Sequence, residues 1–175
     1  MIESSTKLRS QPEEPPPFRI DRDGVWFYHG SPILRKPLVK LFASVLTREE
    51  DGTFWLVTPV ERVAVIVVDA PFTVVQATRI GQHSDQKLEL RTNVEDIVVV
   101  DNEHPIYVQT DPNSGQPIPY AVIRNGLTGL ITRSVFYDLV NWAEEDEDNG
   151  DYFVRSMNER FFLGNITQDH ELVDA

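Results

Sequence analysis

The chain has 175 residues, a formal net charge of −12 from 28 acidic and 16 basic side chains, and no cysteine. That length suits one ordinary domain or two small ones sharing a core, and 41% hydrophobic with 25% charged residues is a globular composition. The charge argues against a nucleic acid polymer as partner, since phosphate binding needs a net basic surface, and the missing thiols exclude disulfides, thiolate catalysis and sulfur-ligated zinc.

Residues 1–17 are polar, include Pro12 and the run Pro15, Pro16, Pro17, and show no apolar period, so a disordered tail is expected. No stretch has signal-peptide or bilayer-spanning character, which makes the cytoplasm the expected location. Asp23–Gly24 between the apolar runs 18–20 and 25–28 predicts a hairpin, and His29–Gly30 ends its second strand. Leu38, Val39, Leu41, Phe42, Val45 and Leu46 recur at helical spacing, with Pro37 in the first turn, where its missing N–H costs nothing. After the turn at Asp51–Gly52, strands are expected over 54–58, 63–68 and 72–79. The run 63–68 is apolar throughout and predicts burial on both faces. Leu88 and Leu90 alternate with Glu89 and Arg91, the pattern of a half-exposed strand. Further strands are expected over 97–100, 106–109 and 120–123. A second helix is expected over 133–144, with Thr132 as N-cap and Ile131 and Phe136 as a hydrophobic staple. Strands beginning at Tyr152 and Arg160 close the chain, and 168–175 is expected to fray.

The two halves repeat one another. Residues 52–63 read GTFWLVTPVERV and residues 150–161 read GDYFVRSMNERF, with Gly52, Glu61 and Arg62 matching Gly150, Glu159 and Arg160 at identical spacing. The apolar positions Leu38, Val39, Phe42, Ala43 and Leu46, moved by 97 positions, become Val135, Phe136, Leu139, Val140 and Ala143. Tyr28–His29–Gly30 parallels Arg124–Asn125–Gly126. The expected fold is therefore α+β, built from two similar subdomains, each a curved, mainly antiparallel sheet packed on one helix. The division is drawn at 18–95 and 96–167. The interface of such a pair is a natural place for a pocket.

No motif names a reaction. The acidic stretch 144–151 lacks the first-position Asp and twelfth-position Glu of a calcium loop and reads as a solvated turn. His29, His83, His104 and His170 are scattered without metal-ligand spacing, so no metal or cofactor is expected. There is no nucleophile elbow, Walker loop or dinucleotide fingerprint. Asn165–Ile166–Thr167 is a sequon by pattern only. The few basic residues carry more information: Arg35 and Lys36 stand at the first helix start, Arg124 and Arg133 at the second, where side-chain charge and free N–H groups can hold an anion. The alternative is structural, with Glu61–Arg62 and Glu159–Arg160 as ion pairs and the lysines solvating a helix face.

The stretches YHGSPILRKPLVKLFASVLTRE from Tyr28 to Glu49, WLVTPVER from Trp55 to Arg62, DAPF from Asp69 to Phe72, His104–Pro105, and Pro119–Tyr120 through Val140 resemble a proteobacterial family catalogued as domain of unknown function 1285. The resemblance runs from Phe18 to about Ile166. It implies a duplicated α+β fold with a pleckstrin-homology-like carboxy-terminal half, and a groove between the halves for a nucleotide-like ligand in signal transduction.

These readings converge on a ligand-binding or regulatory module rather than an enzyme. Arg35, Lys36, Arg124 and Arg133 would hold a small anion, Tyr28 or Tyr120 would stack on a ring, and Thr58, Asn125 and Ser156 would supply hydrogen bonds. A hydrolase of a phosphorylated small molecule, with His29 or Glu61 as general base, and a protein-interaction adaptor remain alternatives.

Overall fold

A computed structural model describes residues 14–165. The tail expected over 1–17, apart from residues 14–17, and the frayed end over 168–175 lie outside the described residues. The first unit runs β1 (Phe18–Ile20), β2 (Trp26–Tyr28), β3 (Ser31–Pro32), α1 (Lys36–Ser44), β4 (Leu46–Arg48), β5 (Phe54–Val57) and β6 (Arg62–Val67). These strands form one sheet in the order β3-β2-β1-β6-β5-β4, antiparallel except for the parallel pair β1–β6.

A meander follows: β7 (Phe72–Ile80), β8 (Lys87–Thr92) and β9 (Ile97–Val99). The second unit repeats the first: β10 (Ile106–Thr110), β11 (Pro117–Arg124), β12 (Leu127–Ile131), α2 (Arg133–Asn141), β13 (Glu144–Glu145), β14 (Asp151–Ser156) and β15 (Glu159–Asn165). Its first three strands join the meander in the order β10-β11-β12-β7-β8-β9, through a parallel β12–β7 pair. Its last three form β13-β14-β15, and β10 packs beside β15 as β1 lies beside β6. The division expected between 95 and 96 falls between β8 and β9, hydrogen-bonded neighbours in one sheet.

The duplication is visible in detail. Each unit turns its second strand into its third through two residues at positive φ, His29 and Gly30 (45° and 82°) and Asn125 and Gly126 (46° and 75°). That is the two-residue turn whose twist matches a hairpin, and it favours Gly at its second position. Arg62 pairs with Glu49 at 2.9 Å and lies over the Trp55 ring at 4.3 Å. Arg160 pairs with Asp146 at 3.3 Å and lies over the Phe153 ring at 4.5 Å. The duplicated arginines thus take the acid before the fifth strand of their own unit, not the neighbouring Glu61 or Glu159.

Four local expectations change. α1 ends at Ser44, because Leu46 pairs with Leu56 and opens β4 instead of continuing the helical stripe. β6 is not buried on both faces: Val65 is buried, while Ile66 is 42% exposed, because the sheet offers one face to the core and the other to solvent. α2 ends at Asn141, since Glu144 and Glu145 pair with Phe153 and Tyr152 as a short strand. Thr132 takes the N-cap position, but its side chain makes no capping bond.

One buried cluster runs through both units and the meander, with Ile20, Trp26, Phe72, Leu88, Leu90, Ile123 and Leu139 among its members. Polar contacts join the units. Arg124 donates to the Ala43 carbonyl at the end of α1, pairs with Asp96 at 3.3 Å and lies over the Phe72 ring at 5.3 Å. Asn93 accepts from the Thr73 N–H and donates to the Gly24 carbonyl. Gly24 sits at φ 80°, and a Cβ there would lie 2.8 Å from the Asn93 amide, so both the backbone conformation and the bond between Asn93 and the Gly24 carbonyl favour glycine at this point.

Candidate functional site

Several cavities among the described residues gather polar or charged side chains. The first lies between the two units, has a volume of about 560 Å³, and is lined by Arg22 and Asp23 of the β1–β2 turn together with Gln116, Arg133, Phe136 and Tyr137 of the second unit. Arg133 is the first residue of α2, whose opening N–H groups have no side-chain cap. Such a helix start carries partial positive charge, and an exposed guanidinium beside it strengthens that field. Arg22 reaches the groove from the other unit, with its Nε 3.4 Å from Asp69. Asp69 also accepts the Tyr120 hydroxyl at 2.7 Å. Burial and that carboxylate push the Tyr120 phenol well above its ordinary range, so it stays a neutral donor at physiological pH. Tyr107 stacks on Tyr120 at 5.5 Å, and burial raises its phenol as well.

The second cavity belongs to the first unit alone. It has a volume of about 460 Å³, a lining dominated by Phe18, Phe42, Leu56 and Val63, and Tyr28, Thr58 and Glu61 among its walls. The third, about 630 Å³, lies between the loop after β7 and the β13–β14 sheet. Its two arginines are already paired with other walls of the cavity: Arg155 donates to both oxygens of Glu144, and Arg79 lies over the Trp142 ring.

The eleven residues expected to hold a ligand therefore divide. Arg133 lines the groove between the units, and Tyr28, Thr58 and Glu61 share the apolar cavity of the first unit. His29 faces a smaller cavity beside Pro15, Pro16 and Pro17. Arg35 and Lys36 are exposed at the start of α1 and are not among the groove's lining residues. Arg124 and Tyr120 are spent on the contacts described above, and Asn125 shapes a hairpin turn. Ser156 is fully buried, accepting the Leu88 N–H at 2.9 Å and donating to the Val100 carbonyl at 2.6 Å. Sequence reasoning passed over Arg22, Gln116 and Tyr137, which lie on a turn, a loop and a helix face and carry no motif. Arg22, beside the Asp23–Gly24 turn, could have been found only by knowing which turn faces α2.

Comparison with known proteins agrees with this architecture. The N-terminal domain of the family described as domain of unknown function DUF1285 matches residues 11–70, and the C-terminal domain of the same family matches 71–163. That boundary groups the meander with the second unit. A crystal structure of a DUF1285 family protein from Silicibacter pomeroyi DSS-3 is 42% identical, with a TM-score of 0.81 over 87% of this chain and 81% of that one. Another, from Shewanella baltica OS155, is 31% identical, with a TM-score of 0.57 over 72% of this chain and 91% of that one. No curated protein matches the chain.

Proposed function

The chain belongs to the DUF1285 family, whose function is unknown, and from that premise we propose that it is a binding module holding a small, nucleotide-like anion in the groove between its two units. One observation carries the reading: Arg22 and Arg133, contributed by different units, line the same groove at the uncapped start of α2. Tyr137, exposed on the same helix, offers a ring face for a base, and Gln116 an amide for its edge. Occupancy of a site built from both units would bias how they sit together, which suits a regulatory role. His29 and Glu61, the two candidate bases, line different cavities, and neither faces this groove.

A thermal-shift screen against nucleotides, cyclic nucleotides and phosphorylated metabolites tests the reading. A ligand at a hundredfold excess over its dissociation constant stabilises the folded state by about 2.7 kcal/mol. The expected result is a shift from one phosphate-bearing class that disappears in Arg133→Ala and in Arg22→Ala. A shift unchanged in both variants, or none across the panel, overturns it.

A further inference from the structure

The first unit leaves open a face that the second keeps covered. Leu38, Phe42 and Val63 are only partly buried, whereas their counterparts Val135, Leu139 and Phe161 are buried. Thr58 is exposed, whereas its counterpart Ser156 has no accessible surface. The cover on the second unit is the meander. Leu88 and Leu90 of β8, and Val100 after β9, are fully buried. Leu88 N–H and the Val100 carbonyl hold the Ser156 hydroxyl, and the Gln86 amide donates to the Arg155 carbonyl at 2.8 Å. Among the described residues no strand takes that place on the first unit, and the apolar cavity of about 460 Å³ is what remains there.

We propose that this open face docks an extended peptide segment of a partner protein, with apolar side chains at alternate positions and a cationic side chain near one end. The segment lies across the first unit as β8 lies across the second. Alternation puts residues i and i+2 on one side of a strand, as Leu88 and Leu90 show, and a peptide of that pattern fills the space along Phe42, Leu56 and Val63. The charge preference comes from Glu61. It is the only charged side chain lining the cavity, and its carboxylate has no partner among the described residues. Its counterpart Glu159 accepts the Asn102 amide at 3.3 Å, from the loop that leaves the meander. A lysine or arginine of the docked segment supplies to Glu61 what Asn102 supplies to Glu159. The Thr58 hydroxyl stands where Ser156 accepts the Leu88 N–H, but it closes its own turn, accepting the Glu61 N–H at 3.1 Å and donating to the Glu61 carbonyl at 3.2 Å, so it offers the segment contact along the mouth rather than the bond that Ser156 gives Leu88. Pro59 stands where the Met157 N–H donates to the Gln86 carbonyl, so one bond of the built-in cover has no equivalent. The docked segment is thus held less firmly than β8, as a reversible partner should be. This inference uses no residue of the groove between the units and goes beyond the anion reading.

The test is selection of short linear peptides from a displayed library against the full chain, with affinities of the enriched peptides read by fluorescence polarisation. The expected peptides alternate apolar residues and carry a Lys or Arg. They lose about tenfold or more in affinity to Thr58→Arg, which puts a cation into the apolar mouth, and to Glu61→Lys, while Arg133→Ala binds them unchanged. Thr58 and Glu61 are both exposed, and the melting temperature of each variant confirms its fold. Failure to enrich any peptide, enrichment of helical spacing, or affinities unaffected by both variants overturns the proposal. So does a dimer of the chain that Thr58→Arg dissolves, which assigns the face to a second copy. A fatty acid that stabilises the protein, loses its effect in Thr58→Arg and is not displaced by any peptide also overturns it.

Discussion

Thr58 and Ser156 occupy the same place in the two units, yet one hydroxyl is exposed beside an apolar cavity and the other is sealed between Leu88 and Val100. The units share strand order, helix, hairpin turns and the arginine that stacks on an aromatic ring. They differ in what lies across the sheet. The same local sequence pattern therefore supports a core face in one unit and an open face in the other, and the difference comes from a segment outside the repeat.

Leu88→Ala has the largest expected effect. Removing a fully buried leucine from the cover should cost about 2–5 kcal/mol in urea denaturation and open the second unit as the first is open. A loss under about 1 kcal/mol would mean that the meander is not an integral part of the second core. Next comes the paired hydroxyl. Ser156→Ala strands the buried Leu88 N–H and should cost about 1–3 kcal/mol, whereas the exposed Thr58→Ala should stay within about 0.5 kcal/mol. Equal losses at the two positions would contradict the assigned difference in burial.

The arginines sharpen the contrast between joining the units and facing the groove between them. Arg124→Ala loses the bond to the Ala43 carbonyl and the stack on Phe72, and should cost about 1–2 kcal/mol. Arg133→Ala should leave stability within about 0.5 kcal/mol while abolishing the effect of an anion.

The smallest expected effect is in acid. Asp51 accepts the Thr53 hydroxyl and N–H, which hold its carboxyl below the ordinary 3.8. In the second unit the matching position is Asn149, which accepts the Asp151 N–H without a charge. A depressed carboxyl stabilises the fold above its ordinary value, and that contribution is lost as pH falls through the lowered one. Asp51→Asn should therefore make the first turn titrate like the second. The slope of stability against pH below 3.8 should shrink, as read from denaturation midpoints in acid. An unchanged slope would place the acid sensitivity in other carboxyls. One is Asp101, which burial would raise but the His104 and Glu103 N–H groups pull down.

Much of the fold is legible in the sequence because it rests on local rules. Helical spacing from Leu38 to Ala43 marks α1, Gly at turns marks the hairpins, and alternation around Leu88 and Leu90 marks β8. The repeat is legible because Gly, Glu and Arg recur at fixed spacing. The short strands β3, β4, β12 and β13 were missed, since two to five residues carry little period and their pairing depends on partners far along the chain. The site was harder still. Arg133 was found from its place at a helix start, while Arg22 meets it only because the β1–β2 turn folds against the second unit.

The duplicated α+β unit, the two helices, the turn chemistry and the absence of thiol chemistry follow from spacing and side-chain type within a few residues. Tertiary structure decided which arginines join the units and which faces stay open. It did so because the meander is hydrogen-bonded to β12 of the second unit and brings the Leu88 N–H and the Val100 carbonyl onto Ser156 of that unit. Periodicity records which residues can be buried, and only the long-range pairing of strands decides what buries them.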